Sequence, residues 1–278
     1  MDLIEAWLED LARVLDGEHP RVMDVRIGVF YTGAQLETGE TGLAFTPRDL
    51  TDAVCCPRSA AAAPQSGRLA GQEAWALARE ALSAVPLRRA VGVAVLNALS
   101  ARALARSGVP GGQVLAGVDA LEAADVQPED RVAMVGAFVP FLKELKGRVA
   151  RLWIIDKHRD ALKPDELSCW RPPEEATEAL AQASVAIISG SALVEGGIDA
   201  LLAAARGARR VVLAGPTASP WPPPFFERGV DVLGGIRIRD GQAILQVVSE
   251  GGSGYFFERA AEKICIVRQS ESGPACET

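Results

Sequence analysis

The apolar positions fall into two rhythms. In the first, Leu3, Ile4, Trp7, Leu8, Leu11 and Leu15 recur at the three- and four-residue spacing of one helix face, and Gly17 stops that helix. Residues 22–35 then alternate and are rich in β-branched side chains, and residues 41–45 form a second extended run. Gly39 and Gly42 lie at and just beyond the connection, which predicts a hairpin. Residues 49–53 offer a Thr or Asp cap for a helix start, and the small-residue stretch 59–67 (SAAAAPQSG) reads as a mobile loop. Residues 73–85 are helical by period. Pro86 interrupts, and residues 90–106 form a second helix that is apolar on most sides and so is predicted to be buried. Helix, strands, then helices predict a small α+β layer over residues 1–112.

After the Gly- and Pro-rich stretch 108–112 the rhythm changes, and residues 114–128 lead into short apolar strands alternating with helices. Strands are predicted at 131–135, 151–155, 185–188, 210–214 and 230–232, with helices near 141–145, 174–183 and 195–205. That order means right-handed βαβ units and a parallel sheet. The fold class is therefore α/β: an α+β domain followed by a Rossmann-like parallel-sheet domain over 113–268, with a fraying tail at 269–278.

In an open parallel sheet, ligands bind beyond the carboxyl ends of the strands. The candidate residues are those that follow each strand. Gly136-Ala137-Phe138-Val139-Pro140 carries one glycine for a tight turn and a proline suited to a first helical turn, without the full three-glycine dinucleotide fingerprint. Asp156 stands about twenty residues beyond Gly136, where a Rossmann acid meets ribose hydroxyls, although an ordinary capping role fits as well. Asp156 and His158 also place a carboxylate and an imidazole close together as candidate metal ligands, beside the plainer reading of a solvated loop histidine. Ser189-Gly190-Ser191 offers hydroxyls and open amides for a carboxylate or phosphate, or simply a helix cap. No histidine is placed in sequence to activate either serine, so a catalytic triad is not supported. Gly215-Pro216-Thr217 opens a proline-rich loop that is either a pocket wall or a rigid connection. Asn97, polar in an apolar helix, needs a partner if buried; it either faces a cleft or ties the helix to a neighbouring carbonyl.

Composition narrows the classes. With 49% apolar and 23% charged residues the chain is globular, and a formal net charge of -7 with scattered Lys and Arg argues against a nucleic-acid partner. The acidic, amphipathic start lacks the basic and apolar pattern of a signal peptide, and the longest apolar region is too short and too polar to span a bilayer. Five cysteines without repeated spacing fit reduced thiols in a cytoplasm, the expected location. The adjacent Cys55 and Cys56 are soft-metal candidates or incidental thiols, and two histidines exclude a His-rich metal site.

Several segments together resemble one family, described by the words "putative heavy-metal chelation". They are residues 41–45 (TGLAF), 93–99 (VAVLNAL), 135–140 (VGAFVP), 188–196 (ISGSALVEG), 213–217 (LAGPT) and 229–235 (GVDVLGG). Their order and spacing cover nearly the whole chain. The resemblance implies an enolase-N-terminal-like domain joined to a Rossmann-like domain, with a cleft between them. It also implies a role in binding or chelating metal, as an ion or as a complex with an organic ligand. The expectation is a small anionic ligand or metal chelate bound in that cleft by Gly136, Ala137, Phe138, Pro140, Asp156, Ser189, Gly190, Ser191, Gly215, Pro216, Thr217 and Asn97. The alternatives are an enzyme using a nucleotide-type cofactor such as S-adenosylmethionine or NAD, and a non-catalytic metal-handling accessory protein. The expected partner is the small molecule or chelate; a homo-oligomer is left open, and neither nucleic acid nor membrane is expected.

Overall fold

The structure, a computed structural model, describes residues 1–48 and 64–269. The helix start expected at 49–53, the first part of the 59–67 loop, Cys55, Cys56 and the tail from residue 270 lie outside the described residues.

Helix Leu3–Val14 opens with a reciprocal cap: the Glu5 amide donates to Asp2 Oδ1 at 2.8 Å, and the Asp2 amide to Glu5 Oε2 at 3.1 Å. Its apolar stripe is buried, with Leu3, Trp7 and Leu11 fully inside. The run expected as one strand over 22–35 is two, β1 (Val22–Ile27) and β2 (Tyr31–Leu36). With β3 (Thr41–Phe45) they make an antiparallel sheet in the order β1-β2-β3. The break falls at Gly28, where a side-chain carbon would sit 2.1 Å from the Val248 carbonyl oxygen. Alternation continues through such a turn, so the pattern alone hides it.

Pro86 does not interrupt a helix; it begins one, Pro86–Ser107, at the position where a missing N–H costs nothing. This helix packs on the β2–β3 face through Gly42 and against the turn at Arg79–Leu82 through Gly92. The other face of the small sheet is covered by a helix absent from the sequence expectations, Gly241–Ser249. Leu245 and Val248 of that helix meet Gly33 of β2, and Gln242 Nε2 donates to Gln35 Oε1 at 2.5 Å. The small sheet is therefore enclosed by one helix that soon follows it and one from far beyond it in the chain.

The large sheet has eight strands in the order β4-β11-β10-β9-β8-β5-β6-β7. These are β4 (Gly112–Ala116), β5 (Arg131–Val135), β6 (Arg151–Ile155), β7 (Trp170–Arg171), β8 (Val185–Ser189), β9 (Arg210–Ala214), β10 (Val232–Ile238) and β11 (Ala261–Arg268). From β10 to β7 every pair is parallel, whereas β11 and β4 close one edge antiparallel. β4 lies in what reads as a lead-in, and Gly234 and Gly235 fall inside β10 rather than after it. They are glycines because Ala120 Cβ and the Ala218 carbonyl oxygen would each lie 2.3 Å from an added carbon. The helix expected at 195–205 is divided into Ala192–Glu195 and Ile198–Ala204 by Gly196 and Gly197, both at positive φ. Among the described residues no helix is long and apolar enough to cross a membrane.

The helix Pro86–Ser107 shares one apolar core with the large sheet, including Val95, Leu99, Ile188, Leu213 and Ile264. Ser100 ties this core together: its hydroxyl accepts from Trp7 Nε1 at 3.0 Å and from the Trp221 amide at 2.9 Å, and donates to Leu96.

At the amino ends of the strands, Asp130 gathers the Gln127 amide at 2.7 Å, the Ser184 hydroxyl at 2.7 Å and the Arg209 guanidinium. Burial works to raise its carboxyl pKa, but these donors outweigh it and hold the group down at about 2, against an ordinary 3.8. A depressed carboxyl contributes stability above the unfolded value and loses it as pH falls through the folded one. Acid melts should therefore show a loss between pH 3.8 and about 2 that Asp130→Asn largely removes. Parallel acid profiles for the two proteins would contradict that role.

Candidate functional site

Along the parallel part of the large sheet the order is β7-β6-β5-β8-β9-β10, so the chain runs outward from β5 in both directions. The reversal between β5 and β8 is the topological switch point, where turns diverge and leave a crevice. Gly136 follows β5 at φ +92°, and a carbon added there would sit 2.9 Å from Ser189 Cβ, so only glycine fits. The Phe138 ring reaches over both neighbouring turns: carbons added to Gly136 and Gly215 would lie 4.0 and 3.7 Å from its edge. Phe138 stacks on Phe141 with centroids 5.1 Å apart, and Pro140 stands exposed in the first turn of helix Val139–Leu145.

On the β8 side, Ser189 Oγ accepts from the Ser191 amide at 3.2 Å and the Gly190 amide donates to the Ala214 carbonyl at 2.8 Å. Gly190 lies so close to Thr217 that an added carbon would meet Thr217 Cβ at 3.1 Å. Thr217 is buried and fastens the small sheet: its hydroxyl accepts from the Phe45 amide at 2.9 Å, and its carbonyl from Asn97 Nδ2 at 2.9 Å. Asn97 Nδ2 also donates to the Leu43 carbonyl at 2.7 Å. Asn97 thus ties its helix to the carbonyls of Leu43 in β3 and of Thr217 after β9. Gly136, Ala137, Phe138, Asp156, Ser189, Gly190, Ser191, Gly215, Pro216 and Thr217 all stand on this one edge.

Asp156, at the end of β6, is the acid that the spacing singled out, but its carboxylate is already engaged. Oδ2 accepts from the Ala137 amide and Oδ1 from the His158 amide, both at 2.8 Å. It staples the turn after β5 to the turn after β6, and so occupies the amide that a phosphate would otherwise seek. Its own carbonyl accepts from Trp170 Nε1 at 3.0 Å. His158 is exposed, beside Asp156 only through its backbone. Among the described residues no group of three or more His, Cys, Asp or Glu side chains is arranged to hold a metal ion. Of the described cysteines, Cys169 is half-buried, and Cys265 is buried and donates to the Val118 carbonyl. Burial, then the nearby Asp119 and Glu122, push the Cys265 thiol up to about 11, so it stays protonated at neutral pH.

Two features of the edge escaped the sequence expectations. Tyr31 of β2 brings its hydroxyl to the space beside the turn after β9: a carbon added to Gly254 would lie 3.6 Å from Tyr31 Oη and 3.7 Å from Pro216 Cγ. Burial pushes this phenol up to about 12, so it is a neutral donor at physiological pH. Lys157 Nζ meets Glu195 Oε1 at 2.6 Å, linking the segments after β6 and β8. No local pattern marks either group, since Tyr31 sits in a different sheet and the Lys157–Glu195 pair spans 38 positions. Together the edge offers small turns, two serine hydroxyls and an aromatic ring.

A protein of unknown function from Pyrococcus horikoshii superposes with a TM-score of 0.72 at 18% identity, over 96% of this chain and 100% of its own. A protein of unknown function from Desulfitobacterium hafniense gives 0.72 at 19% identity, over 95% of this chain and 99% of its own. Both come from the DUF364 family, and at these identities the likeness is one of fold. No curated protein matches the chain. Two family models, each described as "Putative heavy-metal chelation", match it: DUF4213 over residues 9–100 and DUF364 over residues 119–266. The first match spans the small sheet and the start of its covering helix, and the second spans the switch point and every strand-end turn around it. The chain accordingly belongs to the DUF364 family.

Proposed function

We propose that the chain binds a small anionic organic molecule, alone or as the chelate of a metal ion, in the crevice between the small sheet and the turns after β5, β8 and β9. The observation that carries this reading is the convergence of Gly136, Ser189 and Gly215 at the switch point, under Phe138. Ser189 and Ser191 act as donors to ligand oxygens, and Asp156 holds the Gly136–Phe138 turn in shape. A bare metal ion does not fit the described donors, because both Asp156 oxygens are engaged by amides and His158 is exposed. In this reading a metal is cargo whose coordination sphere comes from its organic partner. A nucleotide cofactor is less well matched, because the Ala137 amide and the Asp156 carboxylate, which would meet phosphate and ribose, are bonded to each other.

Native mass spectrometry with elemental analysis, on protein purified without chelators or an affinity tag, tests the proposal. The expected result is a bound mass of one small molecule, with or without a stoichiometric metal. The double variant Ser189→Ala, Ser191→Ala should keep its fold and bind that species at least tenfold more weakly, as loss of hydrogen bonds to a charged group, worth about 1.5–3 kcal/mol, requires. Retention of the ligand at full affinity by this variant would refute the serine cradle. A clean mass, with no thermal stabilisation by citrate or metal citrates, would refute the proposal as a whole.

A further inference from the structure

The small sheet has an open edge along β1, its outer strand. Only the start of that strand is covered: the Val22 amide donates to the Gln72 carbonyl at 2.9 Å, and the Gly71 amide to the Val22 carbonyl at 2.8 Å. At its far end the chain turns at Gly28, whose amide donates to the Tyr31 carbonyl at 2.9 Å. In an antiparallel ladder, residues bonded to the partner strand alternate with residues that face away from it. With Gly28 bonded to Tyr31, Arg26 and Asp24 also face β2, opposite Gly33 and Gln35, while Val25 and Ile27 turn their N–H and C=O groups outward. Among the described residues neither has a backbone partner on that side. The opposite edge of the sheet differs, because there the Phe45 amide of β3 is taken by Thr217.

The free window is residues 23–27, and its midpoint is Val25. Met23 and Ile27 are exposed, and neither proline nor lysine guards the strand. Asp24 and Arg26 lie on the side of helix Gly241–Ser249: Arg26 Nη2 meets Asp24 Oδ2 at 3.0 Å, and Arg26 Nη1 donates to Ser249 Oγ at 3.2 Å. This window is complementary to itself when reversed. An antiparallel copy centred on Val25 sets Val25 opposite Val25, Met23 opposite Ile27, and Asp24 opposite Arg26 on both sides of the centre. Centring on Asp24 or on Arg26 instead sets like charges directly opposite each other, which destabilises a ladder. Charge therefore selects the same register as the midpoint of the window.

We propose that β1 pairs with β1 of a second copy of this chain, antiparallel about a twofold axis at Val25, and joins the two small sheets into one. Such a pairing uses the same patch on both copies and closes on itself, so association stops at a dimer. The Val25 N–H and C=O bond their counterparts, and Asp24 and Arg26 of the two copies form one cluster of alternating charge. The proposal is independent of the strand-end reading, since none of residues 23–27 is assigned to that ligand.

Sedimentation velocity and light scattering on the full chain test it. The parent is expected to be a dimer that dissociates on dilution. Asp24→Arg and Arg26→Asp should each weaken the dimer about tenfold or more, because like charges then face each other at two positions. Mixed in equal amounts, the two variants should form a heterodimer, because opposite charges meet again at both positions. Val25→Pro removes an N–H that points away from β2, so the small sheet should keep its own ladder and its far-UV circular dichroism while the dimer is lost. A parent chain that sediments as a monomer at every concentration, a dimer that all three variants retain, or a mixture of the charge variants that stays monomeric would each overturn the proposal.

Discussion

Gly92→Val is expected to send the protein to the insoluble fraction, or to lower its stability by about 3 kcal/mol or more. Gly92 lies mid-helix, and a carbon added there would be 1.9 Å from the Ala81 amide nitrogen and 2.6 Å from both Ala81 Cα and the Glu80 carbonyl carbon. All three are backbone atoms, so no rotamer change relieves the clash; the Arg79–Leu82 turn must leave the helix. Gly207→Ala is the matched control: its added carbon meets nothing within 4 Å, and the change should move Tm by no more than a degree or two. Soluble yield and thermal melts of the two variants decide the matter. A soluble Gly92→Val with the parental Tm would mean that helix and turn are not in contact.

Leu245→Asp carries the second large effect, and its signature is spatial. Leu245 is fully buried on helix Gly241–Ser249, against Gly33 of β2. A carboxylate there has no partner in the apolar layer and costs several kcal/mol, partly relieved only by protonation or local unfolding. The damage should appear far away in sequence: amide exchange in residues 22–45 should accelerate well before that in β5, β6 and β8. Uniform acceleration across both sheets would show that the helix supports the whole molecule rather than the small sheet. By the same logic residues 1–112 expressed alone would expose the Gly33–Leu43 face and associate.

The sequence disclosed the parallel strands best. Runs such as 185–188 and 210–214 are short, continuous and bounded by glycine, because both faces of those strands are covered. It hid what long-range packing decides. Gly234 and Gly235 resemble a stop but lie mid-strand, admitted there by Ala120 and Ala218 pressing on either side. The Gly241–Ser249 helix, which covers the small sheet, and β11, which extends the large one, follow a glycine-marked strand that hides them from local pattern. At the candidate site the spacing from Gly136 to Asp156 sets both residues just beyond β5 and β6, and the need of Asn97 for partners is plain from its apolar helix. Neither the two amides that Asp156 holds nor the arrival of Tyr31 from the other sheet leaves any trace in local pattern, since each depends on residues brought together only by the finished fold.

The Asp156 staple has a consequence for how this architecture diversifies. The turns after β5 and β6 are self-occupied: a carboxylate of the chain takes amides that sheets of this order commonly turn to an external anion. Replacing that one side chain by a neutral, shorter residue would leave the Ala137 and His158 amide hydrogens without an acceptor and open a seat for phosphate or sulfate from solution. Those two amides are thus closed to an external anion by a single side chain rather than by the path of the backbone. Two chains with superimposable strands could differ in whether they are free, and shared topology within such a set of proteins would say little about shared cargo.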